Sequence, residues 1–188
     1  MIEVELKARL VDPAAVEKRL REFASFVRDF EKRDSYWHGP DWRINRGTKG
    51  FRLRTDGART TVTFKNKRSE GGIEINHERE FSVSDLPTFD EFLERLGCEP
   101  FYEKRKRGKR FEVDPGSGAP IALELAEVEG LGWFLEIEAL VPEDDPAAVA
   151  LAQGEIRALL AKTGLEETAI EGRYYSELLI AAGLVAVP

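Results

Sequence analysis

IEVELKARL, residues 2–10, alternates apolar with ionic side chains almost without a break. A period of two marks a strand that packs one face and wets the other. It sends Glu3, Glu5 and Lys7 to one side and Val4 and Leu6 to the other. The same rule aligns Arg52 with Arg54, Thr61 and Thr63 with Lys65, Glu78 with Glu80, Arg105 with Arg107, and Glu136 with Glu138. On one antiparallel strand a charged face is simply the solvated one. This chain also offers helices whose apolar faces need a sheet to cover, and covering the apolar side turns the charged side inward or toward one common surface. Repeated over several strands, the pattern predicts a closed or strongly curved sheet with an ionisable interior.

The helices are marked by their starts. Asp12-Pro13 opens a helix over residues 13–24, with Val16, Leu20 and Phe23 at helical spacing. Asp85 caps a second through LPTFDEFLERLG, and EDDPAAVALAQGEIRALLAKTG, with acids at its N-terminus, predicts a long third. YYSELLIAAG, residues 174–183, fits a last one. Between them, FRLRT (51–55) and ARTTVTFKNK (58–67) flank Asp56-Gly57, a strong hairpin pair, and a further turn at residues 69–72 leads into IEINHEREFSV (73–83). Residues 98–113 predict a bent or paired strand, followed by strands in IALELAEVEG and WFLEIEAL. Strands joined by tight turns exclude parallel β/α units, so the expected class is α+β with an antiparallel sheet flanked by helices.

The chain has 188 residues, 42% hydrophobic and 34% charged, which suits one ordinary globular domain. Its net charge of -7 argues against a general nucleic-acid or anionic-membrane binder. The six Lys/Arg within residues 104–110 do not reverse this, because strand alternation splits them between two faces. A single cysteine, Cys98, allows no internal disulfide or cysteine zinc site and fits a cytoplasmic setting. No apolar stretch approaches the length of a membrane span. For a soluble homo-oligomer, a symmetric homodimer is the default.

Buried charge is costly unless paired or liganded, so an ionisable interior implies an occupant. Arginines and lysines bind phosphate oxygens, and paired carboxylates without clustered histidines suit hard cations such as Mg2+ or Mn2+. Both together point to a polyphosphate with its metal.

At this point the residues resemble a known group. EVELK matches the Glu-x-Glu-x-Lys signature of the CYTH, or triphosphate tunnel metalloenzyme, superfamily. RDSYW resembles the Asp-x-Tyr-aromatic element of its class IV adenylyl cyclase and thiamine-triphosphatase-like branch. FRLR, VTFK, EREF, EVEGLGWFLEIEA and RYYSELL follow in the family's order, from residue 2 to about 179. The resemblance implies a closed eight-stranded antiparallel barrel whose lumen binds a nucleoside or inorganic triphosphate with one or two divalent ions. Carried onto this chain, Glu3, Glu5, Glu136 and Glu138 are the expected metal ligands, and Lys7, Arg52, Arg54, Lys65 and Arg107 the expected phosphate contacts. Lys7, Glu78 and Glu80 are the catalytic candidates. Within EKRKRGKR the register is decisive, since a slip of one turns Lys104 and Lys106 inward in place of Arg107.

One departure stands out. Where the family reads Leu-Asp-x-Val this chain reads LAEV, with Ala126 at the acidic position, while Glu127 would face the opposite side. The implied activity is that of an adenylyl cyclase, with a triphosphatase or a nucleotide-binding protein without turnover as alternatives. His38 and His77 read as polar or hydrogen-bonded residues rather than metal ligands. Cys98 reads as a packing residue and the tryptophans as packing groups, except that Trp42, in a glycine-flanked loop, is placed to close over a base.

Overall fold

Asp12, Asp85 and Asp145 each cap a helix by accepting a hydrogen bond from the backbone N–H three residues on, and each is followed by a proline in the first turn. The helices so started are α1 (Pro13–Phe23), α2 (Leu86–Arg95) and α3 (Pro146–Lys162); a shorter α4 spans Tyr175–Ala181. The strands are β1 (Ile2–Arg9), β2 (Ser25–His38), β3 (Gly50–Asp56), β4 (Arg59–Glu70), β5 (Ile73–Val83), β6 (Glu99–Val113), β7 (Ile121–Val128) and β8 (Gly132–Val141). The computed structural model describes residues 1–40, 50–116, 119–142 and 145–186, with Lys67 described by its backbone alone. Trp42 lies outside the described residues.

The strands close into an antiparallel barrel in the order β1-β5-β4-β3-β2-β6-β7-β8. Closure rests on β1, which pairs with β5 on one side and β8 on the other. No strand edge is left to be covered. The turn between β4 and β5 is the pair Gly71-Gly72, both at positive φ, which glycine adopts without strain. Residues 98–113 contribute one continuous strand, β6, where the sequence suggested a bend or a pair. Its irregularity lies instead in its register with β2, which shifts between Phe26 and Arg28 and between Tyr36 and Trp37.

The apolar face of the sheet is the outer one. Val4, Leu6, Ile75, Leu123, Leu135 and Ile137 point out of the barrel and pack with Val16 and Leu20 of α1 and Ile156 and Leu160 of α3. Leu6 and Ile137 are fully buried, and truncating either to alanine is expected to cost about 2–5 kcal/mol. A smaller cluster beneath α2 holds Trp37, Leu53, Val62 and Leu93, with Cys98 packed against it. A third joins Val128 and Phe134 to Leu178 of α4. Where an outer face is apolar and covered by helices, the charged side chains alternating with it turn into the lumen. No described helix is long and apolar enough to cross a membrane.

Candidate functional site

The lumen is a cavity of about 1000 Å3 lined mostly by ionisable side chains. A second cavity, about 490 Å3, lies outside the barrel near α2 and is lined chiefly by Phe51, Val62, Phe64, Phe81, Phe89 and Leu93. The ionisable chemistry converges on the lumen.

Cations dominate the β2, β3 and β6 side, and buried acids hold them in place. Asp34 is fully buried, and the register sets Arg54 opposite it on β3 and Lys104 opposite it on β6. Arg54 donates to both Asp34 oxygens at 2.7 and 2.9 Å, and Lys104 Nζ stands 3.2 Å away. Burial pushes against ionisation of Asp34, but Arg54 and Lys104 outweigh it and hold the carboxyl well below its ordinary range. Arg52 is held more loosely. It donates to Thr63 Oγ1 at 3.0 Å and lies 3.8 Å from Glu78 and from Glu80, while its buried Nε has no partner. Glu80 accepts from Thr63 at 2.6 Å, so the acids of β5 brace the arginine strand across β4. Lys65 pairs with Glu3 and, at 2.8 Å, with Glu78.

A second network runs along β2, β6, β7 and β8. Glu124 accepts from Lys32, from Lys106 at 2.7 Å and from Arg110 at 3.3 Å. Lys106 also donates to Glu136, whose other oxygen accepts from the Tyr175 hydroxyl at 2.6 Å. Gly108 makes this convergence possible. A Cβ there would lie 2.1 Å from the carbonyl oxygen of Leu125, so only glycine lets β6 approach β7 closely enough for Lys106 and Arg110 to flank one acid. Burial and the neighbouring Lys106 pull Lys32 down to about 8, with Glu124 opposing them. Tyr175 also lies beside Lys7 and Lys104, whose ammonium groups are 4.7 and 4.2 Å from its ring centre, and Lys7 donates to the Arg173 carbonyl at 2.7 Å.

Carboxylates collect around β1. Glu5 pairs in register with Glu74 of β5 and with Glu138 of β8, so three acids stand in a row across adjacent strands. Among the described residues neither Glu5 nor Glu138 has a cation within ion-pair distance. Burial, then Glu3 and Glu5, pushes Glu138 up to about 8; burial, then Glu136 and Glu3, raises Glu5 as well. Acids this crowded call for positive charge, and hard carboxylate oxygens without histidine fit Mg2+ or Mn2+ in donor type. Glu3, Glu5 and Glu138 would hold such an ion. In the protein alone no three acids, cysteines or histidines among the described residues converge on one point as ligands. Glu136 fits the role less well, because its two oxygens already accept from Lys106 and from the Tyr175 hydroxyl.

The sequence reading placed Glu3, Glu5, Lys7, Arg52, Arg54, Lys65, Glu78, Glu80, Glu136 and Glu138 toward a common interior, and all of them line the lumen or reach into it. Arg107 does not. It lies on the outer wall, paired with Glu127 at 2.8 Å with three quarters of its side chain exposed. Pairing of β6 with β2 puts Lys104 opposite Asp34 and Lys106 opposite Lys32, and alternation then sends Arg105 and Arg107 outward. Lys32, Asp34, Tyr36, Glu74, Glu124 and Tyr175 also belong to the lumen; Asp34 and Tyr36 stand in the RDSYW element and Tyr175 in RYYSELL, but none of the six was given a role in the site. For the β2 residues the missed signal was the alternation Phe30, Lys32, Asp34, Tyr36. Ala126 is buried and Glu127 faces outward as expected, while Glu124, one strand repeat earlier, supplies the acid of that wall. His38 packs against Phe101 with ring centres 4.6 Å apart.

The barrel fold recurs in known proteins. A protein of Methanocaldococcus jannaschii, provisionally named an adenylate cyclase, is 26% identical over 139 residues, which is 73% of this chain and 77% of that one. A Pyrococcus horikoshii structure is 28% identical with a TM-score of 0.78, covering 95% of this chain and 98% of its own. A Vibrio parahaemolyticus structure, also provisionally named an adenylate cyclase, is 21% identical with a TM-score of 0.81, covers 96% and 98%, and shares the fold. The CYTH domain model matches residues 1–175, and the chain therefore belongs to the CYTH family.

Proposed function

We propose that the chain is a divalent-cation-dependent enzyme acting on a triphosphate, and that it converts ATP to cyclic AMP and pyrophosphate. The observation that carries this reading is Arg52. Its Nε is buried in the lumen without a partner, and a buried guanidinium N–H left unpaired is costly until an acceptor arrives. A phosphoryl oxygen is the acceptor that a guanidinium suits best.

Arg52, Arg54, Lys65, Lys104 and Lys7 grip phosphoryl oxygens in this reading, with Lys104 replacing the outward-facing Arg107. Mg2+ or Mn2+ held by Glu3, Glu5 and Glu138 supplies charge neutralisation and orients the attacking or leaving oxygen when bound. Glu78 and Glu80 position the basic side chains rather than bond to substrate. In the cyclisation the ribose 3′-hydroxyl gives up its proton to water as its oxygen bonds to the α-phosphorus, the bond from that phosphorus to the bridging oxygen breaks, and pyrophosphate leaves. The lumen cations are set beforehand to meet the charge that develops on those oxygens. Phe51, Phe101 and Tyr102 line the lumen and offer faces on which a base stacks. The provisional name of the Methanocaldococcus relative supports the same choice.

Hydrolysis of the triphosphate is the second reading. Glu80 favours it, being close to half exposed where a carboxylate reaches water. The purified protein incubated separately with ATP and inorganic triphosphate, in Mg2+ or Mn2+, decides between them. Cyclic AMP with pyrophosphate, lost in Arg52→Ala and Glu138→Gln, establishes the cyclase. Phosphate without cyclic AMP moves the assignment to a triphosphatase, and binding without any product reduces it to a binding protein.

A further inference from the structure

Glu124 is an acid that the triphosphate reading does not use. It is almost completely buried, it accepts from Lys32, Lys106 and Arg110 together, and those cations hold it well below the ordinary carboxylate range against the effect of burial. The groups just beyond it on β7, Ala122 and Ala126, carry only methyl side chains.

The lumen cations therefore fall into two stations. Arg52, Arg54 and Lys104 gather around Asp34, and Arg52 keeps an unpaired N–H. Lys32 and Lys106 lie two residues away on β2 and β6, and Glu124 accepts from both ammonium groups, sharing Lys106 with Glu136. Two residues of strand are about 7 Å. That distance gives room for at least one more phosphoryl group beyond a chain seated on the first station.

We infer that Glu124 is an internal counter-anion that sets the length of the polyphosphate chain the lumen accepts. A chain seated at Arg52, Arg54 and Lys104 leaves Glu124 where it is. A longer chain has to enter the second station, where it meets the repulsion of a buried carboxylate and must compete with it for Lys32 and Lys106. Glu124 is thus a specificity determinant that acts by occupying cations rather than by touching the bound triphosphate. The inference rests on the triphosphate reading given above.

Binding of inorganic triphosphate and inorganic tetraphosphate, measured by titration calorimetry without divalent cation so that nothing turns over, tests it. The wild-type protein is expected to bind triphosphate about tenfold or more tightly than tetraphosphate, and equal affinity for the two would overturn the inference. Glu124→Gln is expected to shift that preference toward tetraphosphate by about tenfold or more, because Lys32, freed of its acid, rewards only the ligand that reaches it. Equal tightening of both ligands would mean that Glu124 contributes charge and not position, and would overturn the inference. Lys32→Met gives a check that does not depend on the folding of the first variant. Its triphosphate affinity should match the wild type, and a tenfold loss would show that the second station already holds the bound triphosphate. If the wild-type protein binds neither anion, the triphosphate reading itself fails, which is a different result.

Discussion

Asp34 offers the most direct test of how the lumen is held together. In the free protein its carboxylate is the shared partner of Arg54 and Lys104, with no solvent exposure of its own. Asn at this position keeps the shape and removes the charge, which leaves two cations side by side in a buried setting. Removing one partner of a buried ion pair costs about 3–5 kcal/mol, chiefly through the uncompensated charge left behind. Urea unfolding followed by tryptophan fluorescence reads this through Trp37, a buried residue of β2. With a slope of about 2 kcal/mol per molar, the midpoint should fall by roughly 2 M. The pH dependence supplies a second check. The Asp34 carboxyl is depressed in the folded chain below its ordinary 3.8, so its contribution is fully present above that value and is lost as pH falls through the lower folded value. The deficit of Asp34→Asn should therefore be constant from pH 5 to pH 8 and shrink only in strong acid. Inorganic triphosphate should recover part of it, since its oxygens replace the missing carboxylate. A loss below about 1 kcal/mol at pH 7 would refute the reasoning, because it would mean that lumen water already solvates Arg54 and Lys104.

Other perturbations separate the remaining parts of the site. Glu138, up at about 8 against an ordinary 4.5, keeps in the folded chain a proton that the unfolded chain has lost, so metal-free stability should fall as pH rises between those values and level off above. Glu138→Gln should flatten that fall, giving a higher melting temperature than wild type at pH 8.5 and none of the gain near pH 4.5; parallel curves would sink the assignment. Gly108→Ala places a Cβ against the Leu125 carbonyl and should cost several kcal/mol or prevent folding, as judged by circular dichroism, whereas the same change at the solvent-facing Gly154 of α3 should stabilise by up to about 1 kcal/mol. Lys104→Ala should weaken binding of inorganic triphosphate at least tenfold and Arg107→Ala should leave it unchanged; the reverse result would restore the one-residue slip in β6.

How much of this could be read from sequence depends on what period-two geometry fixes by itself. Alternation in IEVELK states that Glu3, Glu5 and Lys7 share a face, and the apolar stripes of the helices state which face they cover. Together these give a sheet with its charges inside, and the order of motifs gives closure. Alternation does not state which of the two faces a strand turns inward when both carry charge. In EKRKRGKR each face offers cations, so the hydrophobic pattern that normally pins a register is absent. Partner strands settle it instead, through Asp34 opposite Lys104 and Gly108 opposite Ala126. Those pairings join residues 34 and 104, and 108 and 126, and neither can be inferred from the local pattern of a single strand.

The LELAEV segment shows the same limit from the other side. Judged by position alone, Ala126 is a lost acid and the site looks impaired. Judged by face, Glu124 lies one full strand repeat away and so keeps its carboxylate in the lumen, whereas Glu127, an odd number of residues from both, points out of the barrel. A shift of two along a strand keeps the charge of the wall and changes the cations that it meets. Here it meets Lys32, Lys106 and Arg110. The shift therefore sets the wall's negative charge opposite Glu136 instead of Phe134, where it restrains Lys32 and Lys106, and that is why Glu124, rather than the gap at Ala126, is the place to look for what distinguishes this lumen.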